Sequence, residues 1–245
     1  MNGLPKLILA LDVPLSEVNR ILDELGTMIP CFKVGLNHIA SGNLVEVARR
    51  LREAKVDMFL DGKFHDIPNT VANATQSAVQ IGSRMFTVHA SGGREMMKAA
   101  REMAEERASY FNFDFVPMPV AVTVLTSMDL ETWRRLFRTR VKVETQVLNF
   151  VEEALEAGLK AVVASPLEVK AIRERFGQEL SIITPGVRPA WAAKGDQKRI
   201  ATPRKTLEMG ASSIVIGRPI LSPPPEVGSR RRAVELIAEE IGGLL

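Results

Sequence analysis

Short apolar runs rich in β-branched and aromatic residues alternate along the chain with longer segments whose apolar residues recur at helical spacing. The short runs predict eight strands, at residues 7–11, 32–35, 58–63, 85–89, 116–125, 161–164, 181–184 and 213–216. Each is followed by a predicted helix, at residues 16–25, 41–54, 68–81, 93–107, 129–157, 166–176, 203–209 and about 226–241. The chain is therefore predicted to consist of eight consecutive strand–helix units.

This alternation favours a parallel sheet, because parallel neighbours must be joined by a crossover segment that is usually a helix. Eight units in 245 residues predict an α/β protein with a single (β/α)8 TIM barrel rather than an open sheet. No linker or change of composition divides the chain, so we expect one domain over residues 1–245. Residues 107–118 and 222–225 are interpreted as loops.

The bulk composition is that of an ordinary globular protein with a sizeable core, at 46% hydrophobic and 25% charged residues. The net charge of +3 suits a small anionic ligand, but it is too weak and too scattered to indicate a nucleic-acid partner. No apolar run approaches the ~18–20 residues of a membrane span. We expect neither a targeting segment nor membrane attachment, and therefore a cytoplasmic protein.

Cysteine and histidine are too scarce for most metal sites. The single cysteine, Cys31, excludes an internal disulfide and a Cys-based zinc site, and we expect a buried thiol there rather than a nucleophile. With only His38, His65 and His89, a histidine-rich metal site is not available. We interpret His65 and His89 as hydrogen-bonded residues at strand ends in preference to catalytic ones.

Charged residues fall at the carboxyl ends of the first three predicted strands, where the active site of such a barrel lies. Asp12 ends the first strand, Lys33 lies in the second, and Asp61 and Lys63 end the third. Residues i and i+2 of a strand face the same side, so Asp61 and Lys63 should project together. A structural ion pair would explain an isolated Asp-x-Lys equally well. Four charges of alternating sign at one mouth favour a site.

Other polar residues end or follow later strands, namely His89, Thr126, Ser165 and Arg218. The loops after strands seven and eight of these barrels often hold a phosphate group. Here they read T-P-G-V-R-P at residues 184–189 and I-G-R-P at residues 216–219. Glycine permits close backbone approach, and arginine offers a bidentate fork to phosphate. The polar loop 188–200 is long enough to act as a lid.

The run from Asp61 to Thr70, D-G-K-F-H-D-I-P-N-T, resembles the Asp-x-Lys-x-x-Asp-Ile-Pro-Asn-Thr signature of the orotidine 5′-phosphate decarboxylase family. Further similar segments are L-A-L-D at 9–12, F-K-V-G at 32–35, V-H-A-S-G-G at 88–93, V-T-V-L-T-S at 122–127, T-P-G-V-R-P at 184–189, G-D-Q at 195–197 and V-I-G-R-P at 215–219. They follow one another in order over nearly the whole chain and resemble the shorter, bacterial type.

The resemblance implies a homodimeric (β/α)8 barrel that converts orotidine 5′-monophosphate to UMP and CO₂, the last step of de novo pyrimidine synthesis. It implies no metal and no organic cofactor. Lys63 would donate the proton within a network of Lys33, Asp61 and Asp66, and Asp66 would come from the neighbouring subunit. The implied substrate contacts are Asp12 and Lys33 at the ribose, Thr70 from the partner, Thr126 at the pyrimidine edge, and Pro185, Arg188, Gln197, Gly217 and Arg218 around the phosphate and lid.

Two features depart from the family pattern: Gly62 replaces a usually larger apolar residue, and residues 134–143 have no clear counterpart. Other interpretations remain. A phosphosugar barrel such as a 3-keto-gulonate-6-phosphate decarboxylase or a hexulose-phosphate synthase would use a related Asp-x-Lys run with Mg²⁺. A catalytically dead barrel could bind nucleotides as a sensor, although it would normally have lost one of Lys33, Asp61, Lys63 or Asp66. A nucleic-acid-binding module would need clustered basic and aromatic residues, which the chain lacks.

Overall fold

Eight parallel strands pair in chain order, and hydrogen bonding of the first to the last closes the sheet into a barrel. The computed structural model describes residues 4–192 and 201–242. The strands are β1 (Leu7–Ala10), β2 (Cys31–Val34), β3 (Asp57–Phe64), β4 (Met85–His89), β5 (Met118–Val122), β6 (Ala161–Val163), β7 (Ser181–Thr184) and β8 (Ser213–Ile216). The predicted (β/α)8 barrel is thus confirmed. Its assignment as one domain over residues 1–245 stays a prediction.

The helices surround the barrel and connect its strands. They are α1 (Leu15–Leu25), α2 (Leu36–Ala40), α3 (Leu44–Glu53), α4 (Pro68–Gln80), α5 (Arg94–Tyr110), α6 (Leu130–Phe137), α7 (Val143–Glu156), α8 (Val169–Phe176), α9 (Pro203–Glu208), α10 (Arg218–Leu221) and α11 (Arg230–Glu240), with a 3₁₀ turn at Ala90–Gly92. In the described part of the chain, no helix is both long and apolar enough to cross a bilayer.

Several boundaries differ from the predicted ones, and backbone conformation explains them. The helix predicted at 129–157 is two helices, because Arg138 takes a left-handed conformation (φ +47°) that ends α6. The helix predicted at 41–54 is preceded by α2 and interrupted at Gly42 (φ +73°). The last helix begins later than predicted, at Arg230, where the Ser229 side chain accepts the Arg232 N–H at 3.1 Å.

Strand five is shorter than predicted because its neighbour is short. The last residue of β5, Val122, is in register with Val163, the last residue of β6. The next residue, Thr123, still donates its N–H to the Val163 carbonyl at 3.2 Å, and the ladder with β6 ends there. The predicted loop at 107–118 likewise begins later than predicted, because α5 continues to Tyr110. Residues 222–225 form the predicted loop.

The strand residues sort into two sides with period two, as strands require. Inside the barrel, a cluster of small and large apolar side chains fills the axis: Ile8, Ala10, Cys31, Phe59, Met85, Val120, Ala161, Ile183 and Val215. Neighbouring strand residues such as Phe32, Phe86 and Ile214 face outward and pack under the helices. Cys31 is buried, as predicted. Burial also raises the pKa of its thiol, which disfavours the reactive thiolate.

Candidate active site

A cavity of about 260 Å³ opens where the strands end at their carboxyl edge. Its position follows from the two-residue period. Most inward residues of the axial cluster are succeeded, two positions later, by a residue that lines the cavity. The steps from Cys31 to Lys33 and from Phe59 to Asp61 bring charges to the cavity. The cavity is lined by these site residues predicted from the sequence: Asp12, Lys33, Asp61, Lys63, Thr126, Pro185, Arg188, Gly217 and Arg218.

Asp61 is the centre of the charged cluster, with its side chain only 13% exposed. Its Oδ2 lies 2.7 Å from Lys63 Nζ and 3.1 Å from Lys33 Nζ. Burial alone would raise the pKa of the Asp61 carboxyl, but the charges and hydrogen bonds of the two lysines outweigh burial, and the pKa lies below its usual range. The carboxylate is therefore ionised and holds both ammonium groups at one point of the cavity wall.

Lys63 reaches this point through an irregularity in β3. The register between β3 and β4 shifts between Leu60 and Phe64, and Lys63 adopts a left-handed backbone conformation with φ +48°. Such a conformation costs a residue with a side chain about 1–2 kcal/mol. Thr87 of β4 contacts this bulge: its Oγ1 accepts the Lys63 N–H at 2.8 Å and donates to Asp61 Oδ1 at 3.0 Å.

Asp12 and the histidines lie beside this cluster. Asp12 Oδ1 is 3.9 Å from Lys33 Nζ, and its side chain is half exposed. The His65 and His89 rings are 5.2 Å apart. Burial lowers the pKa of His89, and the nearby His65 and Lys63 lower it further against the opposing charge of Asp61. Neither histidine lines the cavity. His89 is the last residue of β4 and His65 follows the last residue of β3, as predicted, whereas their side-chain hydrogen bonds stay a prediction.

The predicted phosphate side lies across the barrel, since β7 is four strands from β3 in the closed order of eight. Burial lowers the pKa of Arg188, and the positive charge of Arg218 lowers it further. Both line the cavity with Pro185, Gly186 and Gly217. A Cβ at Gly217 would lie 3.2 Å from the Ala10 Cβ, so the close approach of this loop to β1 favours glycine.

The predicted lid lies mostly outside the described residues. Gln197, one of the predicted phosphate contacts, falls within 193–200 and is among those outside. The base of this loop is described: Val187 bridges to Ala201, and the Arg188 N–H donates to the Ala201 carbonyl at 3.0 Å. The two ends of the loop therefore meet beside a predicted phosphate contact.

Asp66 and Thr70 do not join the cavity of their own chain. Both are exposed at the start of α4, beside Ile67, whose apolar side chain is 66% exposed. Asp66 Oδ1 accepts the Ile67 N–H at 2.7 Å, and Asp66 has no ion-pair partner among residues 4–192 and 201–242. One chain thus assembles Lys33, Asp61 and Lys63 but leaves the second predicted carboxylate outside.

The two departures from the family pattern have local structural accounts. The Phe64 ring occupies the space beside Gly62, and a Cβ there would lie 2.5 Å from Phe64 Cε1. The ring therefore takes the room that a larger residue at position 62 would need. In the segment 134–143, the Trp133 indole donates to the Val141 carbonyl at 3.0 Å, which ties the connection between α6 and α7 to the helix before it.

Thr87 is the site residue that the sequence reasoning missed. It lies two positions after Met85 on the inward side of β4 and is 1% exposed. Its sequence signal is a polar residue at an inward strand position level with Asp61. Ser165, in contrast, is buried without lining the cavity, and its Oγ accepts the Leu167 N–H at 3.2 Å.

Comparison with known proteins identifies the family of this chain. The model of the orotidine 5′-phosphate decarboxylase / HUMPS family matches residues 5–233. The chain belongs to this family. A relative named orotidine 5′-phosphate decarboxylase from Moorella thermoacetica is 45% identical over 94% of this chain and 91% of its own. One of the same name from Heliobacterium modesticaldum is 42% identical over 98% of both chains.

The family likeness extends to solved structures. The crystal structure of orotidine 5′-phosphate decarboxylase from Lactobacillus acidophilus superposes with a TM-score of 0.80 at 33% identity, over 97% of this chain and 98% of that one. The resemblance read from the 61–70 signature is thereby confirmed at the level of the family.

Proposed function

We propose that the chain decarboxylates orotidine 5′-monophosphate to UMP and CO₂, with Lys63 as the proton donor. The observation that carries this proposal is the Asp61 carboxylate held between Lys63 and Lys33, across the mouth from Arg188 and Arg218. The lysines beside Asp61 can supply a cation and a proton to the pyrimidine ring. The two arginines can bind the phosphate. Relatives over nearly the whole chain bear the name of this activity.

The chemistry requires a cation at the carbon that loses CO₂. Departure of CO₂ from C6 of the pyrimidine leaves a carbanion with little resonance delocalisation. An ammonium aimed at C6 stabilises that charge as it develops and then supplies the proton. Lys63 is accessible to a bound substrate, because its side chain lines the cavity and is 30% exposed. Its Nζ is held in position by Asp61.

Asp61 and Lys33 maintain Lys63 in this role. The Asp61 carboxylate accepts a hydrogen bond from Lys63 Nζ at 2.7 Å and so fixes the position of the ammonium group. The same carboxylate, placed near the carboxylate of the substrate, would raise the energy of the bound substrate relative to the transition state, in which that charge leaves. Lys33, whose side chain is 14% exposed, is a second cation beside Asp61 and balances the buried negative charge of its carboxylate.

The phosphate is remote from the bond that breaks, and its binding serves the reaction indirectly. Arg188 and Arg218 both line this side of the cavity, and each guanidinium group offers a phosphate two parallel hydrogen bonds. Binding energy gained there can offset desolvation and distortion at the pyrimidine. The loop closed by Val187 and Ala201 starts at the same place.

We propose further that the active form is a homodimer with shared sites, in which Asp66 and Thr70 of each chain complete the site of the other. Their exposure outside their own cavity supports this. So do exposed apolar residues that follow the carboxyl ends of strands, including Leu36 at 56%, Ile67 at 66% and Leu125 at 39%. Large apolar side chains grouped at one end of a protein favour burial against a partner.

A Mg²⁺-dependent phosphosugar enzyme is less compatible with this cavity. Asp61 Oδ2 is already within 3.1 Å of two ammonium groups. A dication there would have to displace both lysines or bear their repulsion. The charge pattern therefore favours an anionic substrate held directly by the protein.

The direct test is to mix the purified chain with orotidine 5′-monophosphate in EDTA and follow the change of absorbance to that of UMP. We expect complete conversion that added Mg²⁺ does not accelerate. Activity that appears only with Mg²⁺, or on a phosphosugar and not on this nucleotide, would contradict the proposal.

Replacing Lys63 by alanine should leave UMP binding nearly intact while removing the proton donor. Loss of a general acid alone lowers kcat by about 10²–10⁴-fold, and loss of the transition-state cation should deepen the effect. Steady-state kinetics measure kcat, and Lys170→Ala, an exposed lysine on α8, is the matched control. Retention of a tenth of the wild-type kcat would sink the assignment of Lys63.

Replacing Arg218 by alanine should weaken the hold on the phosphate. A hydrogen bond to a charged group contributes about 1.5–3 kcal/mol, so kcat/KM should fall roughly 10- to 150-fold. Orotidine without its phosphate is the control substrate, on which the variant and the wild type should perform alike. An equal loss on both substrates would mean that Arg218 acts structurally.

The shared site predicts complementation between two inactive variants. Lys63→Ala and Asp66→Ala homodimers should each be nearly inactive, because a symmetric dimer carries its defect at both sites. Unfolding and refolding equal amounts together should give about half heterodimers by random pairing. In each heterodimer one site carries both defects and the other carries neither, so activity should recover to about a quarter of wild type.

Native mass spectrometry of the refolded mixture provides the control by establishing that heterodimers have formed. If Lys63 and Asp66 served the same subunit's site, every site would remain defective. An inactive mixture that contains heterodimers would therefore refute the cross-subunit role of Asp66.

A further inference from the structure

The bulge at the end of β3 is opposed by a single residue of β4. Leu60 is in register with Phe86, and Phe64 is in register with Val88. Three residues of β3, at positions 61–63, therefore lie opposite Thr87 alone. Two of these three are Asp61 and Lys63, the central ion pair of the cavity.

The Thr87 hydroxyl joins both ends of this bulge, and the direction of its hydrogen bonds is fixed. The Lys63 N–H can only donate, so the hydroxyl oxygen accepts it at 2.8 Å. The hydroxyl proton is then available for Asp61 Oδ1, at 3.0 Å. Asp61 Oδ2 is left for the two lysine ammonium groups. One hydroxyl thus contacts the main chain of the proposed proton donor and the side chain of its counter-ion.

We propose that Thr87 is a positioning residue that holds the bulge in the conformation from which Lys63 acts. This role rests on the proposed function of the cavity. Lys63 occupies a left-handed conformation that residues with a side chain rarely adopt, and the Thr87 oxygen satisfies the N–H which that conformation removes from the strand ladder. The bond to Asp61 Oδ1 orients the plane of the carboxylate, with Oδ2 toward the two ammonium groups.

The expected consequence is catalytic, since the reaction depends on where Lys63 Nζ points. A displacement of about 1 Å in a reacting group can cost about 10²-fold in rate. The phosphate contacts lie across the barrel on the loops after β7 and β8 and do not involve Thr87. A change at Thr87 should therefore lower kcat while leaving the affinity for UMP unaltered, a split that general destabilisation does not produce.

Thr123 provides a matched control within the same barrel. It is 4% exposed, and its hydroxyl donates to the Val163 carbonyl at 2.8 Å. Neither threonine lines the cavity, but the Thr123 hydroxyl bonds a main-chain carbonyl, whereas the Thr87 hydroxyl bonds Asp61 and Lys63. Thr87→Val and Thr123→Val both exchange a buried, hydrogen-bonded hydroxyl for a methyl group, so their effects on thermal stability should be similar. Their effects on catalysis should differ.

The experiment compares kcat, the Kd for UMP and Tm of the wild type, Thr87→Val, Thr87→Ser and Thr123→Val. We expect kcat of Thr87→Val to fall about 10- to 150-fold, the loss typical of hydrogen bonds to a charged group. Thr87→Ser, which keeps the hydroxyl, should recover most of it, and Thr123→Val should retain the wild-type kcat. Wild-type kcat in Thr87→Val, or an equal loss in Thr123→Val, would overturn the proposal.

If Thr87→Val does not fold, Thr87→Cys makes the same comparison, since a thiol is a weak donor and acceptor.

A second readout separates this proposal from the proposed function. Hydrogen exchange of the Lys63 amide, followed by NMR, should become about 10-fold faster in Thr87→Val than in Thr123→Val, because the amide loses its acceptor. Unchanged protection would overturn the positioning role whether or not the protein is a decarboxylase. A wild-type protein inactive on orotidine 5′-monophosphate would instead refute the proposed function.

Discussion

Closure of the sheet by the pairing of β1 with β8 is the constraint on which the arrangement of the cavity depends. In a closed barrel every second strand residue points at the axis, and the axis of this one is filled by apolar side chains such as Phe59 and Met85. The next inward residues, two positions later along the strands, lie beyond this apolar cluster and therefore near the mouth of the barrel. Lys33, Asp61 and Thr87 reach this level together because their strands are neighbours in the barrel.

A cluster built this way must balance its own charges. Isolated burial of the Asp61 carboxylate would be unfavourable, and its lowered pKa reflects the two ammonium groups that compensate for it. The second ammonium group is matched by Asp12, whose Oδ1 lies 3.9 Å from Lys33 Nζ. Two lysines and two aspartates therefore give the cluster of one chain no net charge. In the proposed dimer, Asp66 of the other chain would bring a further carboxylate to it.

Much of this could be predicted from the sequence because the signals are local. Strand periodicity predicted the eight units, and the residues at their ends predicted which charges share the mouth. The bulge could not be predicted this way. The two-residue period alone places Asp61 and Lys63 on one side, but it does not indicate the left-handed backbone at Lys63 or the contact with Thr87, 24 positions later in the chain.

The same limit explains the other differences. The break between α6 and α7 depends on a left-handed Arg138, a residue type that carries no breaking signal of its own. The effect of Gly62 depends on Phe64, whose ring takes the adjacent space. That relation between a glycine and an aromatic ring becomes visible only once the backbone between them is bent. One case depends on a backbone conformation and the other on a contact between two residues, whereas periodicity describes positions singly.

The opposite side of the mouth follows a different physical rule from the Asp61 cluster. Asp61 and its lysines attract one another, so that cluster is stable without a ligand. Arg188 and Arg218 repel each other, and partial burial adds to the cost, as the lowered pKa of Arg188 indicates. In the proposed function, a phosphate would bring negative charge to this side of the cavity. The barrel thus keeps the Asp61 cluster preorganised on one side, and the proposed phosphate site lies on the other, far from the carbon that would react.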